Sequence, residues 1–399
     1  MSLVDPSFEY RPLADPDVES VEEERLREIL TQCFAFPLAR WKPWSDLVGK
    51  ANLRTLWTEG RMVAGLAVLW MGQYFGGRRV PMGGIAAVGV PPEERATGAA
   101  RALMIGVLED LHAHGHPLSA LYASTQHLYR SVGYEQAGNR AEHTMPLTGF
   151  WGKWDRSIRM EPVKPAPENF AAMARLQAER TNGNLDRCPG LWQRLLRSWE
   201  GEAVHAYRIG SEASPDGYII FTQSPGTSGY DMRVRDWAAL SPSAYRRMMS
   251  FLADHRSLAR EITWHGAEVE PLLCLPEEQV YRSGRGERWL LRIVDLPNAL
   301  EMRGYPPGLE AELHLDVDDE VIPANMGRWI LRVVDSTGTV VSGGRGDLRA
   351  TIRGMAPLFS GLLAPRQLRD LGWIEAGDEA LRDATRIFAG PEPWMRDAF

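Results

Sequence analysis

The sequence predicts an α/β (α+β) chain: two tandem mixed-sheet domains over residues 1–150 and 151–286, then a smaller α+β domain over 287–399. Three observations carry this. A length of 399 residues exceeds one ordinary core and suits two or three domains. Apolar runs of strand length alternate with amphipathic helical stretches. Beyond residue 150 the order of elements echoes the order before it.

In the first domain, EEERLREILTQC (Glu22 to Cys33) has a helical apolar period, and Arg54–Thr58 and Val63–Met71 read as strands. Gly76–Arg79 reads as a turn, and Val80–Val90 as a strand broken by Gly83 and Gly84. From about Gly98 to His114, apolar residues at Ala100, Leu103, Met104, Val107, Leu108 and Leu111 make one helical stripe, stopped by Gly115 and Pro117. Leu118–Ser124 returns as a strand, and a short helix ends near Gly133. The tract WGKWDRSIRMEPVKPAPENF reads as a linker. In the second domain, Glu202–Ile209, Gly217–Gln223, Tyr230–Leu240 and Glu261–Trp264 read as strands, and Ser243–His255 as a helix. The third unit opens with WLLRIVDLPNALEMRGY, strand then helix, continues through alternating runs at Ala311–Val317 and Trp329–Val334, and ends in a tail, EPWMRDAF.

Composition narrows the function. Apolar content of 44% and charge of 24% are ordinary for a globular protein. No apolar run approaches the roughly 18 residues of a membrane span, and the acid-rich N-terminus lacks a signal-peptide layout, so a cytoplasmic protein is expected. A net charge of −7 repels phosphate backbones and suits an amine substrate rather than nucleic acid. Cys33, Cys188 and Cys274 have neither metal nor redox spacing and read as buried apolar residues. His112, His114 and His116 close a helix, where the dipole favours them, and lack a companion acid or cysteine cluster, so no metal is expected. Gly343–Gly346 reads as a hairpin turn and Asp316–Glu320 as a solvated turn.

The most informative stretch is GGIAAVGVPPEERATGAARALM. A strand leads through a short turn into a helix, and Arg95-Ala96-Thr97-Gly98-Ala99-Ala100 fits R-x-x-G-x-A. Unpaired N–H groups at a helix start, with its dipole, favour a pyrophosphate. Gly98 lets the backbone approach closely, and Arg95 can add a charge-assisted contact. Six residues alone are equally a surface turn; the strand before, the amphipathic helix after and the strand returning beyond Pro117 favour the phosphate reading. Neither a Walker loop nor a dinucleotide GxGxxG fits. At the corresponding junction of the second domain, DWAALSPSAYRR has no glycine-rich turn, so that domain is expected to keep the fold without the phosphate site.

After the next strand comes ALYASTQHLYRSVGYE. The spacing of Ser124 to Tyr129, followed by Gly133-Tyr134, together with the run through Arg95, resembles the Eis family of GNAT acetyltransferases. WLLRIVDLPNALEMRGY resembles the start of that family's sterol-carrier-protein-like third domain, and the terminal Phe399 matches as well. The resemblance covers nearly all of the chain. It implies a catalytic GNAT domain, a degenerate one, and a sterol-carrier-like domain supplying a catalytic C-terminus. Acetyl-CoA is the implied cosubstrate. Tyr129 would be general acid and the Phe399 carboxylate general base, with Ser124 contacting the cofactor and Val88 and Val90 holding its pantetheine arm through their backbone. The phosphate contacts fall to Arg95, Ala96, Thr97, Gly98, Ala99 and Ala100. Relatives assemble as hexamers, and a homo-oligomer is expected here.

On residue type alone, Tyr129 reads as a packing residue and Ser124 equally as a strand-end hydroxyl; Tyr134 reads as structural and His127 as exposed. Phe34, Phe36, Trp41 and Trp44 are candidates to line an acceptor pocket or to pack in the core. Where aminoglycoside-modifying relatives carry acids, this chain has Phe36 and Ala398, with Asp397 in partial compensation. The expected reaction is acetyl transfer to a small-molecule amine, aminoglycoside- or polyamine-like, by direct attack. Alternatives are a non-catalytic binder of acyl-CoA or an apolar ligand, and an acyltransferase acting on peptide lysines or using longer donors.

Overall fold

The structure, a computed structural model, describes residues 5–14, 20–150, 155–198, 202–226, 229–284 and 286–399. Trp151 to Trp154 of the linker reading lie outside them.

The first part of the chain forms β1 (Glu9–Pro12), α1 (Val21–Phe34), α2 (Trp41–Val48), β2 (Leu53–Thr58), β3 (Arg61–Phe75), β4 (Arg78–Gly89), α3 (Ala99–Ala113), β5 (Leu118–Tyr122), α4 (Gln126–Arg130) and β6 (Glu135–Pro146). Helix α1 starts where the Ser20 hydroxyl accepts the Glu23 N–H at 3.2 Å. It ends at Ala35 in the left-handed region, φ 49°. Strand β3 is buried on both faces, so its sequence is a near-continuous apolar run. Ala67, Leu69 and Met71 face the cluster holding Leu26, Ile29 and Leu30 of α1. Leu66 and Val68 face Leu103, Val107 and Leu111 of α3, as the two-residue period of a strand requires.

The second part comprises β7 (Met160–Pro162), α5 (Ala171–Glu179), β8 (Leu185–Asp186), α6 (Pro189–Leu196), β9 (Val204–Gly210), β10 (Pro215–Pro225), β11 (Tyr230–Ala239), α7 (Pro242–Asp254), β12 (Ala259–Gly266), β13 (Arg282–Ser283) and β14 (Glu287–Ile293). The tract that reads as a linker therefore supplies a strand, β7, paired with β9.

Strand β14 departs from the sequence reading, which starts the third unit with it. It lies between β5 and β6, antiparallel to both, with Leu290 opposite Leu121 and Gln136. Long β6 pairs with β14 through Arg140 and with β12 from Ala141 onward, so the sheets of the two halves are one continuous sheet.

The third part is α8 (Leu296–Met302), β15 (Glu310–Asp318), β16 (Gly327–Val334), β17 (Thr337–Ser342), β18 (Leu348–Thr351), α9 (Ile352–Ser360), α10 (Pro365–Asp370), β19 (Ile374–Ala376) and α11 (Asp378–Ile387), with strand order β17-β16-β15-β18-β19. Strands β17 and β18 are not neighbours, so Gly343–Gly346 is a crossover rather than a hairpin turn; Gly343, Gly344 and Gly346 all take positive φ there. The acidic stretch is not a solvated turn either. Asp319 is buried and holds the buried Arg292 of β14 through two 2.8 Å bonds while accepting the N–H groups of Val321 and Ile322. Burial makes this pairing obligatory, because a lone charge there would be costly. The cysteines are less hidden than expected: Cys274 is exposed, Cys33 and Cys188 partly so. Among the described residues no helix is long and apolar enough to cross a membrane.

Candidate active site

Strands β4 and β5 pair in parallel only at Met82, Gly83 and Gly84, opposite Leu118, Ser119 and Ala120. Beyond Gly84 the two strands separate, because β4 is bulged: its register with β3 jumps between Ala86 and Gly89, and Ala87 takes φ 53°. Val88 and Val90 lie on this diverging end, each partly buried against the α3 cluster. Gly83 and Gly84 do not break the strand. They admit close neighbours: a Cβ at Gly83 would strike Leu111, and one at Gly84 would meet Met71 and come within 2.8 Å of the Phe399 ring.

From β4 the chain runs into α3 through a loop in which Ala96 (φ 63°) and Gly98 (φ 92°) take left-handed conformations. Gly98 has no side chain to cap the helix, and a Cβ there would meet nothing within 4 Å. The Ala99 N–H reaches Thr97 Oγ1 only at 3.4 Å, and Thr97 itself donates to the Glu94 carbonyl. The helix start is thus open to an anionic group, and Ala100 follows in its first turn. Arg95 folds back on the strand end, its Nε donating to the Val90 carbonyl at 3.4 Å, and Cys33 Sγ donates to the same oxygen at 3.2 Å.

The second domain repeats the junction and closes it. Strands β11 and β12 are parallel and paired as far as Arg233 opposite Thr263. At the start of α7, however, Ser241 Oγ accepts the Ala244 N–H and donates to the Asp216 carboxylate. A cap and a carboxylate occupy the place where a phosphate would need bare N–H groups.

Tyr129, on α4, is 6% exposed and packs edge-on against Tyr134, ring centroids 6.0 Å apart. Its hydroxyl makes no hydrogen bond among the described residues. Burial pushes its pKa up to about 12, so the phenol keeps its proton across the physiological range. Tyr134 is fully buried and its hydroxyl is engaged by Ser119 at 2.7 Å, a structural role. Ser124 and His127 are exposed; Ser124 lines a cavity with Tyr122 and Gln126.

The C-terminal tail threads between the two halves. The Pro393 carbonyl accepts the Asn139 N–H, Trp394 N–H donates to the Asn182 carbonyl, and Met395 N–H to the Asn139 carbonyl. Arg396 inserts beside β11, its Nη1 bonding the Asp236 carboxylate and the Trp237 carbonyl (2.6 Å), its head between the Trp237 and Trp394 rings. Its own carbonyl accepts Arg140 Nε at 2.9 Å. The carbonyls of Asp397 and Ala398 accept the Tyr122 hydroxyl (3.0 Å) and Arg194 Nη1 (2.7 Å). Phe399 then lies edge-on to Tyr122 and over Gly84. The chain's own terminus therefore reaches its own first domain. None of Arg140, Arg187, Asp236 or Arg396 stands out in the sequence, since each partner is remote along the chain.

Phe399 borders a cavity of about 410 Å³ lined by Phe36, Trp44, Leu47, Leu69 and Leu191. Of the aromatic candidates, Phe36 and Trp44 line it. Trp41 is core, its indole N–H on Glu23 at 3.0 Å, and Phe34 points outward, 50% exposed. Asp397 does not offer a spare acid to this cavity: its carboxylate is held by Arg187 at 2.8 Å.

A strand pair splayed by a bulge, feeding an uncapped helix start, is the architecture of an acyl-CoA-dependent transferase. The acetyltransferase (GNAT) domain family matches residues 16–137 and again 183–293, and the sterol carrier protein domain family matches 296–396. A solved GCN5-related N-acetyltransferase from Anabaena variabilis is 41% identical, with a TM-score of 0.93, over 98% of this chain and 100% of that one. An uncharacterized N-acetyltransferase of Streptomyces avermitilis is 27% identical over 81% of this chain and 83% of its own length. The N-acetyltransferase Eis of Mycobacterium tuberculosis is also 27% identical, over 64% of each chain. The chain belongs to the GNAT N-acetyltransferase family, in the Eis-like arrangement of two acetyltransferase domains followed by a sterol-carrier domain. Enzymes of this family use acetyl-CoA.

Proposed function

We propose that the chain transfers the acetyl group of acetyl-CoA to a primary amine of a small molecule by direct attack, with Tyr129 as general acid and the Phe399 carboxylate as general base. The observation that carries this is the tail's anchorage: successive main-chain contacts from Pro393 to Ala398 hold the last residue over Gly84, where β4 and β5 part.

The residues fit the cosubstrate. The open start of α3 at Gly98 to Ala100 would take its pyrophosphate, with Arg95 free to swing from the Val90 carbonyl toward it. The bulged backbone at Val88 and Val90 would hold the pantetheine arm, and Ser124 stands on the loop beyond β5. Acetyl-CoA supplies an activated acyl group; the protein's part is to orient it and move protons. An amine of reference pKa about 10 arrives protonated, and the terminal carboxylate attracts it and takes its proton, directly or through water. Tyr129, protonated and unengaged, gives a proton to the departing thiolate. The Phe36, Trp44 and Leu191 walls offer the acceptor an apolar surface.

The test is thiol release from acetyl-CoA with a broad amine panel, using the native chain and one extended by two residues past Phe399. Saturable turnover that falls at least tenfold on extension is expected. An extended chain that turns over normally would remove the terminal base.

A further inference from the structure

Resting on the transferase reading above, we infer that the acceptor is an amine that also carries an oxyanion, a carboxylate or phosphate, bound in an arginine-lined cavity beside the catalytic terminus. This cavity, of about 420 Å³, adjoins the apolar one at Phe399 and shares Arg40, Leu191 and Arg194 with it. Its floor is Ala398, Asp397 and Arg396 of the tail. Among the described residues six arginines line it, Arg40, Arg140, Arg194, Arg233, Arg235 and Arg396, with two carboxylates, Glu202 and Asp397. That balance is opposite in sign to the net −7 of the chain.

Both acids of the lining are already engaged. Asp397 is committed to Arg187 outside the lining, and Glu202 accepts the Ser224 hydroxyl at 2.9 Å while standing 4.0 Å from Arg235. Of the six, Arg140 is paired with Glu287 at 2.8 Å and Arg396 with Asp236, both carboxylates from outside the lining, whereas the Arg235 head is fixed by neutral carbonyls. Arg235 Nη1 donates to the Leu195 and Arg197 carbonyls, and Arg140 Nε to that of Arg396. Arg233 is exposed, and its guanidinium has no hydrogen bond or ion pair among the described residues. Arg396 is 8% exposed, and its Nε and Nη2 have no acceptor among the described residues. The wall also carries a reporter of the field. Burial and then the charges of Arg140, Arg233 and Arg396 press the His265 pKa down to about 3.

These observations specify the occupant. A polycation would meet like charge, whereas an oxyanion gains bidentate guanidinium contacts. The apolar body of the acceptor would lie on Trp44 and Leu191, with its amine toward the Phe399 carboxylate and its acid toward Arg233.

The experiment uses the full-length chain, acetyl-CoA and matched acceptors on one aromatic primary-amine skeleton: the carboxylate, its carboxamide and the corresponding phosphate. The expected result is a kcat/KM at least tenfold higher for one or both anionic members than for the carboxamide, narrowing with added salt. The carboxylate and phosphate arms separate the two oxyanion classes. Arg233→Ala should collapse the ratio toward one through KM, and Arg233→Lys should restore most of it. Equal or better use of the carboxamide, or a ratio unmoved by Arg233→Ala, overturns the inference while leaving amine acetylation standing. Absence of turnover with every amine, charged or not, overturns the transferase reading itself.

Discussion

At the scale of single residues, the proposed general acid, Tyr129, carries a hydroxyl that makes no hydrogen bond among the described residues. A Tyr129 kept for packing alone would tolerate loss of its hydroxyl. Tyr129→Phe should instead lower kcat by about 100-fold or more, the low end of general-acid effects, with acetyl-CoA affinity unchanged by calorimetry. His265, only 16% exposed at its side chain, gives a second prediction. Its folded pKa of about 3 lies below its ordinary value near 6.5. As pH falls through that window the unfolded chain gains a proton that the folded chain refuses. Stability from this group is therefore complete above about pH 6.5 and declines toward pH 3. Urea titrations of His265→Gln should show a shallower acid-side loss than the native protein; identical slopes would mean the imidazole is solvated.

At the scale of elements, β4 does two jobs, closing the core with Ile85 and making room for the terminal ring at Gly84. Gly84→Ala should leave the helix signal in circular dichroism intact yet cut turnover at least tenfold, because the new methyl and the Phe399 ring compete for one space. The strand and the helix after it were legible in the sequence because their signals are local, an apolar run and a helical stripe within thirty-odd residues, whereas the sequence points to an irregularity at Gly83 and Gly84 that lies instead at Ala87. The role of the glycines was not legible, since the atoms they make room for belong to Leu111 and to the last residue of the chain. The clamp on the tail was hidden for the same reason. Arg396 meets Asp236 across 160 residues and Tyr122 meets Asp397 across 275, and no periodicity reports such pairs. Asp316–Glu320 misled because charge suggests water, while Asp319 answers to an arginine on a distant strand.

At the scale of the whole molecule, the third domain is fastened by buried charge. Arg292 and Asp319 are both fully enclosed, and Glu135 of β6, buried as well, holds Arg353 of α9 together with Arg130. Removing one member of such a pair leaves the other charged and dry. Asp319→Asn should cost about 3 kcal/mol in equilibrium unfolding, with Tm falling by several degrees and activity at low temperature retained; a loss under about 1 kcal/mol would mean that water reaches Arg292. The placement of β14 also constrains biosynthesis. The strand that joins β5 to β6 is synthesised only after the whole second unit, so a nascent chain must keep two sheet edges unjoined for well over a hundred residues.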